Sequence, residues 1–416
     1  MNRSKQIARA ALLSVLTYFT SVAAQGQITA SNQPNPPPQI CVNGQCVTTP
    51  TPGLTSGKIK WNPGHYMASY GVVYPGRSSS FVQTEADDLN NKDAIVGYRM
   101  EITWGALEPT EGNYDFSAID SILNRLKTAY NKPKHLVIML WQYGQQPFSA
   151  NSPGVIPLYI QQNPKYGASP VAGSYGWWGQ TLNVASTGTF APALYYPPVM
   201  DRFIALMQAL GQHLDNDPYV EAVFFQENAT IVGAATTAPK DPHYSDDAML
   251  AQSQRLLTAA TAAFPHTSVI MANSWLVLPA DTVALEEWMP SHRIAMGSAD
   301  SFGQSAIDGR GTQILGWALR SYLGDPAYGG VDLRPKMTSM MDVESGDIDG
   351  NSFGYVGGPF TPLDIINALN KTYYASHAFW TRMIGSQTRP EAQWPAVAAA
   401  CAANPLTHTG YPANYP

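Results

Sequence analysis

Short apolar runs alternate with amphipathic stretches from residue 58 to the end of the chain. The apolar runs predict eight buried strands, at residues 59–61, 94–102, 135–141, 220–225, 268–272, 293–296, 336–341 and 377–380. Helical spacing of apolar residues predicts helices at 117–130, 199–214, 246–263, 280–288, 312–322 and 362–374. We expect Ser117 to be the N-cap of the first of these helices.

Alternating strands and helices predict a parallel sheet. Eight units in about 360 residues fit a (β/α)₈ TIM barrel in the α/β class, with a long insertion between strands 3 and 4. A doubly wound sheet is disfavoured, because no glycine-rich dinucleotide fingerprint follows an early strand.

The first 57 residues differ in composition from the rest of the chain. Arg3, Lys5 and Arg9 precede an apolar run that ends at Ala24, which is typical of a secretory signal peptide at residues 1–24. We therefore expect a secreted or periplasmic protein, with a retained N-terminal anchor as the alternative. Residues 25–57 have the composition of a Pro-rich linker, and residues 58–416 form the predicted catalytic barrel.

The linker contains one pair of cysteines. Asn43-Gly44 favours a two-residue hairpin turn, which would place Cys41 opposite Cys46 within the reach of a disulfide bond. A bridged pair agrees with export, whereas two free thiols in a flexible tail are the alternative.

Charge limits the partners of the chain. The net charge is −6, and loss of the three basic residues in the signal segment makes it −9. We therefore expect no nucleic-acid partner and, after signal cleavage, no membrane partner. The oligomeric state is not readable from the sequence.

The chemistry of a barrel lies at the carboxyl ends of its strands. Two carboxylates, Glu227 and Glu344, follow apolar runs at the ends of strands 4 and 7. A buried carboxylate is costly unless it is paired or functional, and a structural ion pair is the alternative for either acid alone. Two carboxylates about 5 Å apart across a barrel mouth are what retaining glycoside hydrolysis needs.

Residues 99–116 read RMEITWGALEPTEGNYDF. This segment resembles the second strand of clan A glycoside hydrolases, particularly the family 42 β-galactosidase type. The resemblance implies that Glu227 is the acid/base, Glu344 the nucleophile and Arg99 the support of the nucleophile. It also implies that Trp380 is the aromatic residue of strand 8 at the sugar site.

The chain departs from the clan at Gln226, where the clan usually has Asn before the acid/base. Gln carries the same donors and acceptor on a longer arm, so we expect it to bind a sugar hydroxyl. Further expected substrate-binding residues at the predicted strand ends are His65, Tyr66, Trp141 and Asp300.

The sequence thus predicts an exported retaining glycoside hydrolase that cleaves a β-linked oligo- or polysaccharide by double displacement. We expect no cofactor and no metal, since zincin, EF-hand and phosphate-loop spacings are missing from the sequence. A catalytically silent carbohydrate-binding protein on the same barrel is the alternative function. The sugar, the linkage, exo or endo action and the exact family stay open.

Overall fold

The architecture comes from a computed structural model of the chain. It describes residues 40–42, 45–47, 58–76, 80–141, 154–166, 177–180, 189–226, 245–272, 279–298, 321–326, 330–343, 360–382 and 393–416. All elements named below belong to the unit Gln39–Pro416.

Eight parallel strands close into a barrel in chain order, so the predicted (β/α)₈ fold is confirmed. The strands are β1 (Gly64–Val73), β2 (Ile95–Thr103), β3 (His135–Trp141), β4 (Val220–Phe225), β5 (Ser268–Ala272), β6 (Ile294–Ser298), β7 (Ser339–Val343) and β8 (Ala375–Thr381). The predicted bounds of β3, β4 and β5 are confirmed. The insertion predicted between β3 and β4 lies partly outside the described residues and stays a prediction.

The prediction for the first strand was wrong. Residues 59–61 are not in a strand, and β1 starts after Pro63, at Gly64. The backbone amide of Lys60 instead donates to the carbonyl of His266, so this segment crosses the amino-terminal end of the barrel. Three small residues, Gly64, Ser69 and Gly71, weaken the strand pattern in β1, which explains the error.

Helices surround the barrel. The described α-helices are α1 (Ser80–Ala86), α2 (Trp104–Leu107), α3 (Ser117–Thr128), α4 (Leu158–Gln162), α5 (Pro197–Leu214), α6 (Asp246–Ala263), α7 (Pro279–Trp288), α8 (Pro362–Ala368) and α9 (Trp394–Ala403). Helix α8 ends six residues earlier than predicted and continues as a π-helical turn, Leu369–Tyr373. The helix predicted at 312–322 lies mostly outside the described residues.

Local chemistry sets where these helices begin. Ser117 is the first residue of α3 rather than its cap, and its backbone N–H donates to Asp115 at 2.9 Å, so Asp115 supplies the capping acceptor. A reciprocal capping box between Thr361 and Asp364 starts α8. Proline occupies the first turn of α5, where the missing N–H costs nothing.

Side chains alternate between the barrel interior and the helix layer, as the period of a strand requires. Those that fill the interior include Tyr66, Ala68, Val137, Met139, Ala222, Phe224, Ile270, Met340 and Phe379. A Cβ atom at residue 97 would overlap the ring of Tyr66, so Gly97 makes room for this aromatic side chain. The barrel is therefore a packed core beneath its mouth.

The amino-terminal end of the barrel is covered by the segment before β1 and by the C-terminal residues. Trp61 donates its indole N–H to the carbonyl of Thr409 at 2.8 Å, and its ring packs edge-on against Tyr411 and Tyr415. The Ile59 amide donates to the hydroxyl of Tyr411 at 3.0 Å. The residues after α9 thus cover the end of the barrel that is remote from the mouth.

The predicted cysteine hairpin has its backbone pairing. Ile40–Val42 and Gln45–Val47 run antiparallel, with Cys41 opposite Cys46. The disulfide bond itself stays a prediction. The signal peptide also stays a prediction, because residues 1–39 lie outside the described part of the chain. No helix in the described residues is long and apolar enough to cross a membrane.

Candidate active site

A buried ion-pair cluster joins opposite walls of the barrel near its mouth. Arg99 of β2 donates to Glu101, two residues further along the same strand, at 2.7 Å. Its other terminal nitrogen donates to Asp342 of β7. The Arg99 side chain is only 2% exposed, so these charges interact with little screening by water.

Aromatic rings form the floor under this cluster. The guanidinium carbon of Arg99 lies 5.7 Å from the ring centroid of Phe224 and 5.9 Å from that of Phe379. This geometry fits cation–π contacts on a guanidinium that is already held by two carboxylates. The cluster is therefore a fixed, buried ionic centre between β2 and β7.

Glu101 titrates far from its usual range. Burial raises the pKa of Glu101 to about 7; Arg99 opposes this rise, while Asp342 and Glu85 add to it. The cluster holds one cation and two acids, so a proton on Glu101 leaves the Arg99–Asp342 pair neutral. Near neutral pH the cluster can thus gain or lose one proton.

Two predicted substrate-binding residues lie at the mouth. Gln226 directly follows β4, is 3% exposed, and its backbone amide donates to Leu140 of β3. Trp141 is the last residue of β3, half-buried, and pairs in register with Thr103. Arg99, Trp141 and Gln226 thus come from three neighbouring strands, β2, β3 and β4, in the half of each strand that is nearer the mouth.

Two others lie behind the barrel wall. Trp380 is fully buried in the layer between strands and helices, and its indole N–H donates to Nδ1 of His65 at 3.0 Å. Nε2 of His65 donates at 3.1 Å to the carbonyl of Asn404, the residue that follows α9. The prediction that His65 and Trp380 bind sugar was therefore wrong: residue 380 has the strand parity that faces the helices.

Tyr66 was also misplaced by the prediction. It lies in the interior near the start of β1, fully buried, and its hydroxyl donates to the carbonyl of Asn62 at 2.6 Å. Its ring packs against His377 and Phe379. The cause is the misread first strand, since moving β1 along the chain turns an expected strand end into a strand start.

Glu227, Glu344 and Asp300 lie outside the described residues. Arg99, predicted to support Glu344, is paired with Asp342, which precedes Glu344 by two positions in the sequence. The ionic role of Arg99 with Glu101 was missed, although the spacing of two along a strand could have shown that both side chains share a face.

The segment after β2 is held by its two glutamates. Glu108 is fully buried, accepts from the indole of Trp104 at 2.9 Å and from the Gly112 amide at 2.8 Å, and pairs with Arg202 of α5. Glu111 accepts from the hydroxyl of Tyr166 at 2.6 Å. The acids of this motif therefore fix the loop that borders the mouth.

A second buried polar cluster lies at the opposite end of the barrel. Glu221 accepts from the Asn62 backbone and side chain, each at 2.8 Å, and contacts Nε2 of His377 at 3.1 Å. Burial alone would raise the pKa of Glu221, but the hydrogen bonds from His377 and Asn62 outweigh it and lower the pKa. The amino-terminal face of a barrel serves stability.

The described residues contain no group of three or more His, Cys, Asp or Glu side chains arranged to hold a metal ion.

Comparison with known proteins finds similarity at the level of the fold. No family model matches the sequence, and a search of curated proteins finds no match. The barrel resembles the crystal structure of β-galactosidase from Bacillus circulans sp. alkalophilus, with a TM-score of 0.50 and 10% identity over 83% of this chain and 56% of that one.

Two further solved structures resemble the chain at lower scores. β-Galactosidase from the psychrophilic Marinomonas ef1 has a TM-score of 0.48 and 11% identity, over 81% of this chain and 58% of that one. The catalytic domain of β-amylase from Paenibacillus polymyxa has a TM-score of 0.47 and 9% identity, over 76% of this chain and 92% of that one. The chain thus spans just over half the length of the two β-galactosidases, and these likenesses concern the fold.

Proposed function

We propose that this protein is an exported retaining glycoside hydrolase that cleaves a β-linked glycan, with Glu227 as acid/base and Glu344 as nucleophile. The observation that carries the proposal is the buried Arg99–Asp342 pair, which brings a fixed cation to the end of β7. Glu344 follows Asp342 by two residues, and residues two apart on a strand project from the same face. A strand continued to residue 344 would direct this carboxylate towards the mouth.

The proposed roles follow from the charge at each wall. The Arg99 guanidinium offsets the charge of Asp342 at the end of β7, so a nucleophilic carboxylate two residues further along can stay ionised, which attack on the anomeric carbon requires. Glu227 directly follows Gln226 at the end of β4, whereas the Arg99 guanidinium is paired with acids of β2 and β7. An acid there can keep its proton for the leaving group and later activate water.

Gln226 and Trp141 have side chains suited to binding a sugar at this mouth. An amide can bond a ring hydroxyl, and an indole offers an apolar face to the sugar ring. The fold neighbours include enzymes whose names specify β-galactosidase, which agrees with a glycan substrate. We therefore propose a glycan as the class of substrate.

The test is the stereochemistry of the product. The full-length protein is incubated with a panel of aryl β-glycosides, and the first anomer of the released sugar is followed by proton NMR. We expect hydrolysis of at least one β-glycoside with a β-anomer as the first product. An α-anomer as first product would refute double displacement, and no turnover of any member would favour the silent binding protein.

A further inference from the structure

A cavity of about 320 Å³ lies beside the mouth and outside the barrel interior. Its lining includes Val73 at the end of β1, Ile102 of β2, and Asp115, Ser117 and Ala118 at the start of α3. Val73 and Ile102 belong to the layer between strands and helices. Strand β2 therefore separates this cavity from the Arg99 cluster, and the two are different sites.

We propose that this cavity is a second carbohydrate-binding site that takes one neutral sugar ring. Its volume is near the lower end of small-molecule sites, about 300 Å³, which suits one ring rather than a chain. The proposal does not depend on the catalytic acids, because binding rather than turnover tests it.

The lining has the two kinds of surface that a pyranose needs. Pro75, Pro109 and Ile102 supply apolar surface for the C–H face of the ring. Within the described chain, Oδ1 of Asp115 accepts from the Ser117 amide, while Oδ2 of Asp115 and the Ser117 hydroxyl make no hydrogen bond. A carboxylate oxygen beside a hydroxyl is a pair that bonds vicinal sugar hydroxyls.

Charge argues for a neutral ligand. The amino terminus of α3 favours an anion, but the carboxylate of Asp115 already accepts its first amide and would repel a second negative group. A metal ion is disfavoured because Asp115 is the only acid in the lining, and the described lining has no His or Cys. Uncharged hydroxyl groups fit both restrictions.

The test is binding of four methyl β-glycosides, those of glucose, galactose, mannose and xylose, to the isotope-labelled full chain. Backbone amides of Gly76 and Gly105, both in the lining, report occupation by NMR. We expect saturable shifts with a Kd of about 1–10 mM for at least one glycoside. Inorganic phosphate is titrated in parallel, and saturable shifts with phosphate alone would overturn the proposal in favour of an anion site.

Variants localise the binding. Ala118→Trp fills the cavity from α3 and should abolish the shifts, whereas Asn124→Trp, on an exposed position of the same helix, should leave the Kd within twofold. Asp115→Asn keeps an oxygen for the Ser117 amide and should weaken binding at least threefold. Unchanged affinity in both Ala118→Trp and Asp115→Asn would refute the site. Absence of saturable shifts with all four glycosides would refute it too, whatever the turnover of aryl glycosides.

Discussion

Arg99 is the residue on which the account of the mouth depends. It pairs with Glu101 of its own strand and with Asp342 of β7, and removal of one partner from a buried ion pair costs about 3–5 kcal/mol because the remaining charge is stranded. We expect Arg99→Met to lower the free energy of unfolding by about this amount at pH 8. The loss should shrink at pH 5, where Glu101, with its pKa raised to about 7, carries a proton.

Urea unfolding at both pH values measures this effect. Arg255→Met is the matched control, since it removes an arginine from an exposed pair with Asp201 and should cost less than about 1 kcal/mol at either pH. Equal losses for the two variants at pH 8 would show that the Arg99 cluster is not a buried ionic centre.

His65 has a different titration, set by its two neighbours. Burial lowers the pKa of His65 to about 4, although the hydrogen bond to Asn404 opposes this. Nδ1 accepts the Trp380 indole N–H, so protonation there would set two N–H groups against each other. The pKa of His65 in the folded protein lies below the usual 6.5. The contribution of neutral His65 to the free energy of unfolding is therefore complete above pH 6.5 and falls as the pH drops towards 4.

We therefore expect the titration of His65 to lower the free energy of unfolding by about 2 kcal/mol between pH 7 and pH 5. Trp380→Phe, which frees Nδ1, should raise the pKa of His65, measured by NMR of the imidazole, and should reduce this pH dependence. Trp288→Phe is the control, since Trp288 stacks on His292 at a half-buried position. An unchanged His65 pKa in Trp380→Phe would mean that the indole does not set it.

At the scale of elements, the loop after β2 is tied to α5 by one fully buried acid. Glu108 accepts from Trp104 and Gly112 of the loop segment itself and pairs with Arg202 of α5. An amide cannot supply the charge that Arg202 requires, so we expect Glu108→Gln to cost about 3 kcal/mol. Thermal and urea unfolding measure the loss.

Glu111→Gln, in the same motif, is the matched control. Glu111 pairs with Lys165, whose side chain is 59% exposed, so its substitution should cost less than about 1 kcal/mol. A Glu108→Gln variant as stable as Glu111→Gln would show that the loop is held by its apolar contacts instead.

Sequence patterns predicted the elements whose apolar runs are unbroken. Strands β3 and β4 are continuous apolar runs with one polar residue at most, and their bounds were predicted without error. Strand β1 was missed because its small residues weaken the pattern, and His65 and Tyr66 were misassigned with it. Register could not be read from a single strand, which is why the outward direction of Trp380 emerged only from the closed sheet.

At the scale of the whole molecule, the barrel divides its polar chemistry between its two ends. The amino-terminal end holds the buried Glu221–His377 pair under the segment before β1 and the C-terminal residues, and the carboxyl end holds the Arg99 cluster under the mouth. Packed aromatic side chains such as Phe224 and Phe379 separate the two. This division agrees with stability at one end and chemistry at the other.

The central claim is that Glu344 and Glu227 act as nucleophile and acid/base. The most direct measurement is azide rescue on an aryl β-glycoside that the unmutated protein hydrolyses, with a phenol that departs without protonation. Glu227→Ala should form the glycosyl intermediate, stall, and recover turnover in azide with a β-glycosyl azide as product. Glu344→Gln should lose many orders of magnitude of activity and gain nothing from azide. A β-glycosyl azide, with retained configuration, from a residue-344 variant, together with no azide rescue of Glu227→Ala, would contradict the account, because azide that replaces a missing nucleophile gives the inverted product.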